Sequence, residues 1–373
     1  MEDIEISTLK QNESLSFNKV KTKKLHKGKK YKNNSKLCHL KYIFIFFIFS
    51  IIALLIILLI IIYNSKTKTE TKPIIIEKNC EKRKYDINFN YEEYDSEIIT
   101  DKIKRDSGVQ ISIEEGKFIN GIIRKNKLKN CLEIGVARGG SSIIILNAIK
   151  DMENSLLVSL DLNREFYQDP SKLTGYRVKE YFPELAKNWK LFTGDQPHKF
   201  LVELNIKFDF LFMDTAHVSP GEIFNFIEAL PFLNENAIVV MDDLLWHFST
   251  IKTTKLFPSC IALIPALFGD KLLMKKSVSK MGAVFLYPNQ EEHYLDYFLL
   301  LLNFWEYIPK EKHLNDLRSF IEKYYKDKIY IDIFDTAVKE NKKANKKFEN
   351  YIVDSEKKYH LVSLGTKWQN ITD

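Results

Sequence analysis

The stretch CLEIGVARGGSS, Cys131–Ser142, decides the reading of this sequence. A short apolar run meets an acid at Glu133, and then Gly135, Gly139 and Gly140 fall within six residues, in a chain with only 13 glycines among 373 residues. The run reads as a strand, and Ser141–Lys150 reads as the helix that follows. Glycines between the two permit positive φ, or let backbone come close to a ligand seated on the helix amino terminus.

Outward from that turn, from about Asp106 to Pro288, short apolar runs alternate with amphipathic stretches. That alternation predicts βα units around a mainly parallel sheet, an α/β fold. Strands are predicted at Cys131–Val136, Leu156–Asp161, Lys190–Thr193, Phe208–Asp214 and Ala237–Asp242, with a closing pair near Lys271–Met274 and Ala283–Tyr287. Helices are predicted at Tyr176–Lys187, Gly221–Leu230 and Leu256–Leu267. Asp161, Asp214 and Asp242 each end a strand, and in an open α/β sheet the carboxyl ends of the strands face the ligand crevice.

The order of the turn, Gly-x-x-x-Gly-Gly, departs from the GxGxxG that admits a pyrophosphate. Glu133 would sit badly beside a diphosphate but suits a cationic cofactor, and S-adenosylmethionine carries both a sulfonium and an ammonium group. Gly135, Gly139 and Ser141 are candidate cofactor contacts with Glu133. Asp161, 26 residues after Gly135, is placed to accept hydrogen bonds from ribose hydroxyls. Gly194 and Asp195, in TGDQPHKF, could border the adenine.

Taken together, CLEIGVARGGSS, SLDLN, FDFLFMDTAHVSPGE and AIVVMDD, in this order and spacing, resemble class I S-adenosylmethionine-dependent methyltransferases. Within them they resemble most the small-molecule and sugar O-methyltransferases of catechol, caffeoyl-CoA and macrolide-sugar type. The segment SIEEGKFINGIIRKNK before the first strand looks like that group too, and the resemblance covers roughly Ser107–Pro288. It implies a Rossmann-like three-layer sandwich with a seven-stranded, mostly parallel sheet whose last strand is antiparallel. It also implies cofactor over the first two strands and acceptor over the fourth and fifth.

In metal-dependent relatives an acid ending strand four and an adjacent pair after strand five hold a divalent cation. The matching positions here are Asp214, Asp242 and Asp243, and Mg²⁺ there would hold an acceptor hydroxyl and lower its pKa. Asp214 or His217 could take the proton. His217 departs from the catechol and caffeoyl-CoA pattern, which has lysine at that offset, while DxxH looks normal for sugar-modifying relatives. LNENAIVVMDD lacks the usual Pro-Gly-Gly turn before strand five, and its asparagines can make a turn instead. Trp246 and His247 could line the acceptor pocket or simply pack.

The amino-terminal third has a different character. Residues 1–41 read as a disordered tail, with ten lysines and no acid from Lys19 to Lys41. Tyr42–Tyr63 is apolar except for Ser50 between its two tyrosines, long enough for one transmembrane helix, since about 20 apolar residues span a bilayer. A cleavable signal peptide would have a shorter apolar core nearer the amino terminus. The lysine run reads as a cytoplasmic flank, with nucleic acid the alternative partner that this context disfavours. Residues 64–105 read as a stem, 106–288 as the methyltransferase domain and 289–373 as a helical carboxyl-terminal extension, in which the short FLLLL run suits a core helix or a partner surface.

Lysine bias puts the amino terminus in the cytoplasm and the catalytic domain outside the cytosol or in a lumen. S-adenosylmethionine is made in the cytosol, so this topology demands either a cofactor supply or a cytosolic domain despite the lysines. A lumenal domain would make Asn370, in NIT, a possible glycosylation site. The four cysteines, Cys38, Cys80, Cys131 and Cys260, show neither disulfide nor zinc spacing. The expectation is a membrane-anchored O-methyltransferase acting on a sugar, a glycan or another small molecule. The rivals are an NAD-type oxidoreductase, which the glycine spacing disfavours, and an inactive methyltransferase-like scaffold. No Asn/Asp-Pro-Pro-aromatic motif of amine-methylating enzymes occurs.

Overall fold

A computed structural model describes residues 85–100, 102–103, 111–215, 217, 219–244, 259–275 and 281–359. The predicted transmembrane helix at 42–63, the basic tail, Trp246, His247 and Asn370 lie outside the described residues. Among the described residues no helix is long and apolar enough to cross a membrane.

In chain order the described elements begin with helix α1 (Ile113–Asn126), strand β1 (Asn130–Ile134), α2 (Gly140–Ile149) and β2 (Leu156–Asp161). A hairpin, β3 (Glu165–Phe166) and β4 (Asp169–Leu173), follows, then α3 (Tyr176–Tyr181), β5 (Trp189–Thr193), α4 (Pro197–Leu204) and β6 (Phe208–Met213). Next come α5 (Gly221–Ala229), β7 (Leu233–Met241), α6 (Ser259–Ala266), β8 (Gly269–Leu273) and β9 (Gly282–Leu286). The chain then forms α7 (Tyr294–Leu299), α8 (Glu311–Tyr324) and the long α9 (Lys328–Tyr359).

Seven strands form one sheet in the order β5-β2-β1-β6-β7-β9-β8. β5, β2, β1, β6 and β7 pair in parallel. The last strand, β9, runs antiparallel between β7 and β8, as expected. Because the order reverses beside β1, with β2 on one side and β6 on the other, the carboxyl ends of these strands open a crevice at a topological switch point.

Successive side chains alternate between two cores. Leu132, Val158, Leu211 and Val239 face α4 and α5, whereas Cys131, Leu157, Phe210 and Ile238 face α1 and α2. Burial on both faces is what continuous apolar runs predict for parallel strands. α1 starts at a capping box in which Ser112 Oγ accepts from Glu115 N–H (3.2 Å) and Glu115 Oε2 accepts from Ser112 N–H (2.6 Å).

Three details depart from the sequence expectations. The helix predicted at Tyr176–Lys187 divides into α3 and a 3-10 segment, Pro183–Asn188, because Pro183 lacks the N–H that would continue it. Tyr91, Ile99 and Ile103, assigned to the stem, are buried in the same core as α1, so the packed unit begins well before Asp106. The carboxyl-terminal helices are continuous with the domain core. Leu314, Leu317, Phe320 and Ile321 of α8 and Phe334 of α9 join the cluster containing Phe226 and Ile227 of α5, and Tyr325 Oη donates to the carbonyl of Ile227 (2.6 Å).

Candidate active site

The glycine turn is held from below. Gly135 has φ +90°, and a Cβ at this position would lie 1.8 Å from the carbonyl oxygen of Asp214. Glycine is therefore demanded by the backbone of the neighbouring strand end as well as by conformation. That close approach puts the turn directly against the start of the loop that carries the candidate catalytic groups. Gly139 (φ +96°) is the N-cap of α2 and packs on Gly175. No side chain caps α2, which leaves its first N–H groups without a side-chain acceptor at the turn. Ala137 adopts φ +48°, an unfavourable left-handed conformation for a residue with a Cβ.

Asp161 organises this turn. Its Oδ2 accepts from the N–H groups of Val136 (2.9 Å) and Ala137 (3.1 Å), and its Oδ1 from Asn163 N–H (2.8 Å). Burial raises its pKa despite these bonds. A carboxylate has about four acceptor positions, so capacity remains for a ligand hydroxyl while the same group fixes the loop. Gly194 (φ +92°) donates its N–H to the carbonyl of Asp161 (3.0 Å), which brings the β5 loop alongside. For Asp195, burial opposes ionisation, but the Gln196 N–H and Lys199 outweigh it and lower the pKa. Among the described residues, the buried atoms Gln196 Oε1 and Thr215 Oγ1 have no hydrogen-bond partner. Uncapped helix N–H groups, an acid at the end of β2 and two orphaned polar atoms suit a nucleoside-bearing cofactor.

Glu133 and Ser141, expected to touch the cofactor, are placed elsewhere. Glu133 is fully enclosed and accepts from Ser141 Oγ (2.5 Å), Ser142 Oγ (2.6 Å) and Ser159 Oγ (2.5 Å). Burial raises its pKa to about 7 against the lowering effect of the three hydroxyls. The two residues tie the first turn of α2 to β1 and β2, so they support the turn from within the core and present no open surface to a ligand. Sequence spacing gave no sign of this, since Ser159 comes from a separate strand.

Across the crevice, Asp214 follows β6 and Asp242 and Asp243 follow β7. The carboxylates of Asp214 and Asp243, with that of Glu222, gather around His217, which has φ +55°. His217 Nε2 lies 3.3 Å from Asp214 Oδ1 and 3.5 Å from Asp243 Oδ2, and its Nδ1 lies 3.3 Å from Glu222 Oε1. Burial alone would lower the imidazole pKa, but hydrogen bonds and charge from Asp214 and Glu222 carry it well above the ordinary value. Glu222, in the first turn of α5, was missed as a site residue; SPGE at a helix start was the available signal.

Asp242 is buried, and its pKa is driven well up, first by burial and then by the charges of Asp214, Asp243 and Glu115. This mutual repulsion is the donor chemistry that a divalent cation relieves. As placed, however, no three His, Cys, Asp or Glu groups among the described residues could hold a metal ion, because Asp214 and Asp243 converge on His217.

Residues 132–244 match the protein family described as Methyltransferase domain. No curated protein matches the chain. Similar solved structures include the O-methyltransferase TomG of Streptomyces achromogenes, 19% identical over 50% of this chain and 90% of that one, with a TM-score of 0.39. They also include a putative O-methyltransferase of Klebsiella pneumoniae (15% identity, 51% and 90% coverage, TM-score 0.40) and the Podospora anserina methyltransferase PaMTH1 (19%, 50% and 88%, TM-score 0.40). The family match places a methyltransferase domain at residues 132–244, and the strand order, the glycine turn and the acid ending β2 agree with the class I S-adenosylmethionine-dependent arrangement that the sequence resembles.

Proposed function

We propose that this protein is a membrane-anchored O-methyltransferase that transfers a methyl group to a hydroxyl of a sugar, a glycan or another small molecule. The observation that carries the reading is the contact of Gly135 with the Asp214 carbonyl, which places a cofactor turn beside a cluster of one imidazole and three carboxylates. Bound S-adenosylmethionine supplies an electrophilic methyl group. Asp161, the uncapped N–H groups of α2 and the Gly194–Gln196 loop bind and orient it, and orientation of two reactants can account for much of the rate of such a displacement.

The acceptor's proton passes to the Asp214–His217 pair. Its two members are linked by the 3.3 Å contact between His217 Nε2 and Asp214 Oδ1. Asp214 is the more exposed of the two, 28% against 14%, and is the member that meets the acceptor. Glu222 sets its buried carboxyl against Nδ1 and holds the ring in place.

Divalent-metal assistance is the finer part of this proposal. To hold the ion beside Asp242, Asp214 and Asp243 would first have to turn away from His217; the ion's chemistry would be to polarise the acceptor oxygen. The crowding of Asp214 and Asp243 on Asp242, which adds to burial in raising its pKa, supports it. Membrane anchoring rests on Tyr42–Tyr63 and its lysine flank, which favour a cytoplasmic amino terminus and a catalytic domain on the far side.

The test is transfer of label from methyl-labelled S-adenosylmethionine to a panel of methyl glycosides and diphenols by the full chain. Transfer to a hydroxyl that falls at least about 100-fold in His217→Ala supports the assignment. Label transferred equally well by the variant contradicts the base.

A further inference from the structure

The carboxyl-terminal helices lie beyond the seven strands, yet one segment of them grips the loop that carries His217. Glu306 N–H donates to the carbonyl of Ser219 (2.9 Å), between His217 and Glu222. The fully buried Trp305 sets its ring edge-on to Phe224 of α5, with centroids 5.1 Å apart and planes at 85°. The segment is fixed in turn by two asparagines one turn apart on α9. Asn341 Oδ1 accepts from Trp305 N–H (2.8 Å), and its Nδ2 donates to the carbonyls of Asn303 (3.2 Å) and Ala337 (3.1 Å). Asn345 Nδ2 donates to the carbonyl of Trp305 (2.9 Å).

Asn341 is only 5% exposed. A buried amide in mid-helix is costly unless its groups are matched, and here both of its polar atoms are spent on the 303–305 segment and its own helix. Trp305 has its N–H and its carbonyl held by α9, so it cannot follow the loop. The loop has to follow it. His217 sits in left-handed backbone, a conformation that surroundings must impose, and Glu306 and Trp305 supply contacts at Ser219 and at Phe224, just after it in the chain.

We infer that α9, with the 303–306 segment it holds, is a positioning element for the catalytic loop, and that Asn341, acting through Trp305 and Glu306, is a positioning residue for the Asp214–His217 pair. The inference rests on the methyltransferase reading for its meaning, but the clasp itself can be tested without an acceptor.

The experiment is hydrogen exchange of the full chain followed by mass spectrometry, with peptides covering 213–224 and 130–149. In Asn341→Ala, exchange over 213–224 is expected to rise about tenfold, as loss of one or two buried hydrogen bonds implies, while 130–149 keeps its wild-type rate. Leu317→Ala, which removes a buried side chain of α8 without touching the clasp, separates positioning from general loosening: it is expected to leave the ratio of the two rates unchanged. Unchanged exchange over 213–224 in Asn341→Ala, or equal acceleration of both peptides, overturns the inference. Should Asn341→Ala fail to fold, Asn345→Ala removes a single clasp bond and is expected to give about a threefold rise over 213–224; no rise overturns the inference. Calorimetric binding of S-adenosylmethionine by the same samples distinguishes the two failures. A wild type that does not bind sinks the methyltransferase reading, whereas the exchange rates alone decide the clasp.

Discussion

Glu133→Gln probes the support beneath the cofactor turn. A free glutamate has a pKa near 4.5, and burial raises Glu133 to about 7. The folded protein therefore holds a proton that the unfolded chain has already released, so stability is fully present below pH 4.5 and declines as pH rises through 7. At about 1.4 kcal/mol per pH decade, the loss across that window is about 3 kcal/mol. The direction of one hydroxyl is fixed: Ser159 Oγ accepts from Trp189 Nε1 (2.8 Å) and so must donate to Glu133. Glutamine has the same shape and never ionises, so the variant removes the titration while keeping an acceptor for Ser159. The assay is urea or thermal unfolding of both proteins from pH 4.5 to 8. Other groups cancel in the difference, and the variant is expected to gain about 3 kcal/mol on the wild type across the window, or about 6 °C for a domain of this size. Parallel curves, within about 1 kcal/mol, would refute the reasoning that an enclosed carboxyl costs stability as it ionises.

Two further substitutions test the crevice. Gly135→Ala combines left-handed strain with a Cβ 1.8 Å from the Asp214 carbonyl oxygen, and is expected to cost more than about 3 kcal/mol in thermal unfolding; a loss under about 1 kcal/mol contradicts the contact. Mg²⁺ titrated into the full chain is expected to give a stoichiometric heat that Asp242→Asn removes, and the absence of heat in the wild type contradicts metal assistance.

The sheet was legible because its strands are apolar on both faces and its turns break that pattern at Gly135, Asp161 and Asp214. The β3–β4 hairpin was not, since most of Asp169–Leu173 is exposed and polar and carries no period-two signal. The FLLLL run was legible in part. Tyr297, Phe298 and Leu301 are buried, while Leu295, Leu299 and Leu302 remain exposed. In the site, acids at strand ends could be placed from sequence because strand ends share one edge. Glu222 and the enclosure of Glu133 could not, because each depends on side chains brought together from separate elements. Likewise the clasp of Asn341 on Trp305 joins residues 36 apart through helix packing that no local motif records.

The central claim is that the glycine turn, shaped by Asp161, holds S-adenosylmethionine. Calorimetry of the full chain with S-adenosylmethionine, beside Asp161→Ala, tests it most directly. Asp161→Ala strips three backbone N–H groups of their acceptor, and is expected to weaken binding by at least about tenfold. Binding by the wild type that the variant loses is the predicted result; a folded wild type that binds no S-adenosylmethionine, or a variant that binds it equally well, contradicts the account.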